Sequence, residues 1–412
     1  MDDENASCAH DDEEYTQLSL LHLPVEVFLH ICSFLDASTL HSLSSVCKQC
    51  YLVLNDADSL WKKRINHILW PNATHSLFCS ARSNKLFWKL SCVAIEKQTA
   101  LWKQPDSMEK LMKYRDYSSI HAVLLMHVDG ITYLVSKKDR SLLYKNLSYR
   151  EEPFYQVRVR DDPTYVIGDC LTAIDHTVYF CSYYNIIKSW VLTNTGLVDD
   201  RTYELERSNR IGDFLRCVSS CPERALLATG HNYGTINVFD SRSSNKPIRQ
   251  LYRPHIKYVR KLTMNTKYIL SASENEVSVW DQRADRIVKS ITIPGKEGAC
   301  NTCMSMRRDW VCIGDSEQKL HMLDPTNDFE LVKSYSTEHT ETLTGVRLTH
   351  GCLITSSWDG TVRISSPTDP SKHIATLCPK IGDIIHMDYL NDTLAIAGRS
   401  VVVVWRPRNQ RV

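Results

Sequence analysis

From about residue 118 to the C-terminus, apolar and polar residues alternate in short runs, the period of a strand with one buried face. One such run recurs. It reads IIKSWV (186–191), TINVFD (235–240), VSVWD (277–281), KLHMLD (319–324), TVRISS (361–366) and VVVVWR (401–406), with a weaker copy SLLYKN at 141–146. Aligned on the Trp position, the copies fall at Lys145, Trp190, Phe239, Trp280, Leu323, Ser365 and Trp405, with spacings of 45, 49, 41, 43, 42 and 40 residues. A period near forty with one alternating strand per copy predicts a small sheet repeated radially, seven times.

Residues 20–65 follow another period. Leu23-Pro24 opens a helix, where proline lacks only an N–H that needs no partner. Val27, Ile31, Phe34 and Leu35 then recur at helical spacing. Asp36 is a good N-cap for a second helix that sets Leu40, Leu43, Val46 and Cys47 on one face, and Leu60-Trp61 closes the unit. A third pattern, over 83–103, places Leu86, Leu90, Val93, Ala94 and Leu101 on an apolar helical face. The chain thus divides into an acidic tail expected to be disordered (1–19), a helical module (20–65), a helical linker (66–117) and a β-rich ring (118–412). The fold class is α+β multidomain.

Charge and cysteine usage narrow the setting. The net charge is +1, which gives no case for nucleic acid or membrane as a partner. The first nineteen residues hold seven acids and no Lys or Arg, unlike a signal peptide. Between Trp61 and Arg115 stand eleven Lys/Arg against three Asp/Glu, read either as a solvated helical face or as contact with acidic partners. Fifteen cysteines sit mostly inside strand and helix patterns, as buried thiols of a cytoplasmic or nuclear protein would. The pairs Cys47/Cys50 and Cys300/Cys303 lie too far apart to suggest a four-ligand zinc site, so no metal and no cofactor is expected. No spacing joins a nucleophile to a base, and no catalytic residue is expected.

The repeats resemble the WD-repeat family, over roughly 118–408. ATGHNYGTINVFD, ILSASENEVSVWD, LITSSWDGTVRIS and LAIAGRSVVVVWR each read as strand, tight turn, strand. The Gly-His dipeptide of that family is eroded to His255 and His339, and its turn Asp survives only as Asp139 and Asp359. The resemblance implies a seven-bladed β-propeller, closed by pairing the last strand with chain from before Ser118. Residues 20–65, with Leu-Pro, Phe-Leu-Asp, Val-Cys-Lys and Leu-Trp-Lys in order, look like an F-box.

Together the two resemblances imply the substrate receptor of an SCF-type ubiquitin ligase. Leu23, Pro24, Val27, Ile31, Phe34, Leu35, Leu40 and Leu43 would meet a Skp-type adaptor and, through it, a cullin. In such propellers the residue after the first apolar position of the innermost strand lines the channel mouth. Here that residue is Arg216, between Leu215 and Val218, and Arg260, between Val259 and Leu262. Arginine at this place suits a phosphorylated target; pairing with acids such as Asp213 or Glu274 is the plainer alternative. Phe214, Tyr258, Tyr183 and Trp358 would supply aromatic anchors on the same face. A non-ligase WD-repeat scaffold that only assembles proteins is the rival reading.

Overall fold

The computed structural model describes residues 20–57, 60–61, 63–64, 85–104, 108–115, 119–149, 152–159, 171–182, 185–205, 214–243, 245–251, 254–307, 310–349, 351–367 and 369–408. The described residues form two compact units, one within 20–64 with 85–96 and one within 97–408. The expected acidic tail and the first part of the expected linker, 66–84, lie outside the described residues.

In the first unit, α1 (Val25–Ser33), α2 (Ala37–Leu43) and α3 (Lys48–Asp56) follow one another closely. Pro24 stands just before α1 in extended backbone, and Asp36 caps α2 by accepting from the Thr39 amide at 2.6 Å. The core is Phe28, Cys32, Leu40, Leu54 and Trp61; the Trp61 indole donates to the Leu54 carbonyl at 2.8 Å. Helix α4 (Lys85–Lys103) contributes its first half to this core. Lys89 is buried there, donating to Ser44 Oγ at 2.5 Å, and burial holds its ammonium below the usual lysine range. Glu96 accepts from the Ala37 amide at 2.6 Å and pairs with Arg64 at 2.5 Å. In this part of α4, Lys89, Cys92 and Ile95 are buried, while Val93 and Ala94 of the expected apolar face are half-buried; the side chains of Leu86 and Leu90 lie outside the described residues.

The second unit is a propeller of seven four-stranded antiparallel sheets. Blade 1 spans 120–158, blade 2 spans 171–204, blade 3 spans 215–251 and blade 4 spans 261–292; blades 5 and 6 span 301–336 and 343–377. Blade 7 takes three strands from 384–407, and its outermost strand is Met108–Arg115. The first strand of every blade lies beside the first strands of its two neighbours, and blade 7 meets blade 1, so the ring is closed. The seven copies of the recurring run are all third strands.

Closure works as anticipated, by a strand from before Ser118, running antiparallel to Val401–Pro407 from Met108↔Pro407 to Arg115↔Val401. It also moves a boundary. Residues 108–115, assigned to the helical linker from sequence, belong to the propeller, and Lys97–Lys103 of α4 packs with them. Gln98 binds both neighbouring loops. Its carboxamide oxygen accepts from Thr349 Oγ1 at 3.0 Å and the Gly351 amide at 2.8 Å in blade 6, and its Nε2 donates to Asp392 in blade 7 at 3.2 Å.

The buttressing triads of WD blades survive in two places. In blade 6, His339 Nδ1 meets Asp359 at 2.8 Å and Nε2 meets Thr355 Oγ1 at 3.0 Å, with Ser365 standing where Trp would be. In blade 4, His255 reaches Ser271 Oγ at 2.7 Å and Glu276 at 3.3 Å. Burial is the main influence on both imidazoles and lowers their pKa despite the nearby carboxylates.

Candidate functional site

The helical unit presents an apolar stripe. Phe28 and Cys32 face inward on α1, which turns Val27 and Ile31 outward and leaves Phe34, just past the helix end, 79% exposed. These three positions are four and three residues apart, so they share one helix face. Pro24 is exposed beside them; Leu23, Leu35 and Leu43 are half-buried. Leu40 departs from expectation: it is fully buried in the core, 0% exposed, and has no surface to offer a partner. Nor does α2 carry Val46 and Cys47, because it ends at Leu43; Val46 is exposed and Cys47 caps α3. Val27, Ile31 and Phe34 thus form an apolar row left in water.

On the propeller, Leu215 and Val218, Val259 and Leu262, and Leu343 and Val346 are all buried, as the spacing required. The residue after the first of each pair sits at an irregularity. Blade 3 skips one partner between Leu215 and Cys217, which leaves Arg216 in a β-bulge. The same shift places His121, Thr302, Thr344 and Ile385 in blades 1, 5, 6 and 7. Arg260 holds the corresponding position in blade 4, its amide donating to the Ala272 carbonyl at 2.8 Å. A bulge re-aims the side chain it carries, so these residues form a ring around one end of the innermost strands.

Arg216 and Arg260 converge on Tyr258. The Arg216 guanidinium lies 4.1 Å from the Tyr258 ring centroid and 5.1 Å from that of Phe214, and its Nε donates to Asn232 at 2.9 Å. The Arg260 guanidinium lies 5.3 Å from the same centroid and gives two hydrogen bonds to the Tyr258 hydroxyl, at 3.2 Å and 2.9 Å. The expected alternative partner, Glu274, is held instead by Lys257 at 2.5 Å. Asp213 lies outside the described residues, as does Tyr183. All three residues of the Arg–Tyr–Arg stack are half-buried. Two residues before Tyr258, Ile256 is 98% exposed; sequence periodicity did not single it out, because it sits in an irregular loop. Trp358, at the hairpin turn of blade 6, is 50% exposed.

A small helical module with an exposed apolar row and a seven-bladed ring with an Arg–Tyr–Arg stack together make up the architecture of a receptor. The F-box-like family model matches residues 20–67. Over 368 residues the chain is 26% identical to F-box/WD repeat-containing protein 9 of Homo sapiens and of Bos taurus, covering 87% of this chain and 76% of each relative. The chain is thus similar to F-box/WD-repeat proteins, and an F-box-like module followed by a seven-bladed propeller is the substrate-receptor type of architecture. Receptors of this family are in general non-catalytic, and F-box domains in general bind a Skp-type adaptor and through it a cullin.

Proposed function

We propose that this protein is the substrate-recognition subunit of an SCF-type ubiquitin ligase, acting in the cytoplasm or nucleus. The observation that carries the reading is the outward stripe of Val27, Ile31 and Phe34 on a module that matches the F-box-like model. In this reading the stripe docks the adaptor and the propeller holds a target protein near a ubiquitin-charged enzyme. The contribution to catalysis is proximity, supplied by tethering rather than by side chains of this chain.

The Arg216–Tyr258–Arg260 stack is the proposed target site, with Phe214, Ile256 and Trp358 as apolar contacts. A pair of half-buried guanidinium groups favours an anionic group on the target, and a phosphate fits the fork geometry best. The deciding experiment is affinity purification with the proteasome blocked, using the full chain and a chain lacking residues 20–65. Adaptor, cullin and a ubiquitinated client should come with the first and not the second. A client that accumulates on both without ubiquitin supports the scaffold reading instead.

A further inference from the structure

The described part of the helical unit carries four thiols, Cys32, Cys47, Cys50 and Cys92. Cys47 is the N-cap of α3, in extended backbone at φ −155° and ψ 164°, and Cys50 is the third helical residue. That spacing across a helix start lays the two side chains together, as in a capping box. The Cys50 amide donates to Cys47 Sγ at 3.4 Å. Cys47 is half-buried, while Cys50 and Cys32 are buried. Hydrogen bonding from Cys50 draws the Cys47 thiol below its ordinary pKa; burial, with the Cys47 and Cys32 sulfurs, pushes that of Cys50 above it. An accessible thiol that ionises readily beside a covered one is the division of labour in a redox-active dithiol.

We infer that Cys47 and Cys50 form a reversible disulfide, with a small-molecule disulfide such as oxidised glutathione as the oxidant. The Cys47 thiolate attacks one sulfur of glutathione disulfide, forms a mixed disulfide and releases one glutathione thiolate, which takes up a proton. Cys50 then gives up its proton and attacks the Cys47 sulfur. The protein disulfide closes and the second glutathione leaves. Two protein thiols are oxidised, and one disulfide is reduced to two thiols. The positive end of α3 favours the thiolate and so the reduced form, which keeps the protein bond easy to reduce, as a regulatory one must be. Cys50 also helps to line a small apolar cleft with Leu23, Phe28 and Val53, so its oxidation alters a surface of the module. This chemistry does not depend on the ligase reading.

The test equilibrates the full-length protein in glutathione buffers of rising oxidised fraction, quenches with N-ethylmaleimide and digests with trypsin. Lys48 lies between the two cysteines, so the bond holds two tryptic peptides together. Fragmentation identifies the sulfurs, because the N-terminal peptide also carries Cys8 and Cys32. A Cys47–Cys50 link that forms and disappears reversibly is expected. Cys50→Ser should instead accumulate a glutathione adduct on Cys47, and Cys47→Ser should show neither adduct nor link. Full alkylation of both thiols in every buffer, an adduct on wild-type Cys47 that never resolves, or a link from Cys32 would each overturn the inference. Far-ultraviolet circular dichroism confirms that each variant is folded.

Discussion

Arg216 and Arg260, on neighbouring blades, take opposite parts of one tyrosine: the first stacks on the Tyr258 ring at 4.1 Å and the second grips its hydroxyl. Two like charges that would otherwise repel are thereby given a shared aromatic partner. Tyr258→Phe keeps the ring and frees Arg260; Tyr258→Ala removes both supports and should cost about 1–2 kcal/mol of propeller stability, the scale of a cation–π contact plus lost packing. For target binding, Arg260→Ala is expected to lose about 1.5–3 kcal/mol, and Lys at that position to recover only part. Calorimetry with phosphatase-treated and untreated client checks it; equal binding in every combination excludes a phosphate ligand.

Substitutions on α1 and α2 should separate surface from core. Ile31→Asp places a charge on an exposed face, so the helical unit should fold normally and lose the adaptor. Leu40→Asp buries an unpaired carboxylate and should destabilise the unit by several kcal/mol, about 3–5. Circular dichroism and adaptor co-purification, run on both variants, give the two readouts.

Buried histidines give the propeller a pH dependence of definite sign. His255 and His339 are held neutral by burial, with native pKa values below the ordinary 6.5. The unfolded chain therefore binds their protons more readily, and stability falls as pH drops through 6.5 toward the lowered native values. Above 6.5 this contribution is fully present. Asp359 acts lower on the scale: burial raises its pKa, but hydrogen bonds from Thr361 and His339 outweigh that and hold it below the usual range. Its contribution is lost only as pH falls below about 4. Urea midpoints at pH 7.5, 6.5 and 5.5 should decline, and more shallowly in His255→Gln/His339→Gln.

Gln98 should matter more than its half-buried position suggests. Gln98→Ala deletes three hydrogen bonds to two blades and leaves the Gly351 amide without that acceptor, at an expected cost of about 1–3 kcal/mol. Gln98→Glu keeps the acceptor but sets a carboxylate against Asp392, and should be nearly as damaging. Thermal melts of both, beside wild type, measure the effect.

The strand register was legible because it rests on spacing. Lys145 and Ser365 do not look like tryptophan, yet counting placed them on third strands, where both are buried. The positions of Arg216 and Arg260 were legible for the same reason, from their flanking apolar pairs. Tyr258 as the element between them was not, since it depends on a loop returning across a blade boundary. Gly234 helps to fix that return: at φ +77° it lies against the His255 and Lys257 carbonyls, where a Cβ would collide. Leu40 and Ile31 carry the same helical signal, and only tertiary packing decides which one faces water. The closing strand MEKLMKYR was misread because its lysines and scattered apolar residues suit a helix surface, while its pairing partner lies almost three hundred residues later.

That separation sets a timetable. Arg115 leaves the ribosome long before Val401, its partner in the ring. At translation rates of about 5–20 residues per second, the earlier strand waits roughly 15–60 s for the later one. Throughout that interval blade 7 is incomplete, and blade 1, once formed, presents a flank with no neighbour. The chain becomes a ring only once Val401–Pro407 has emerged to meet the strand that waits for it.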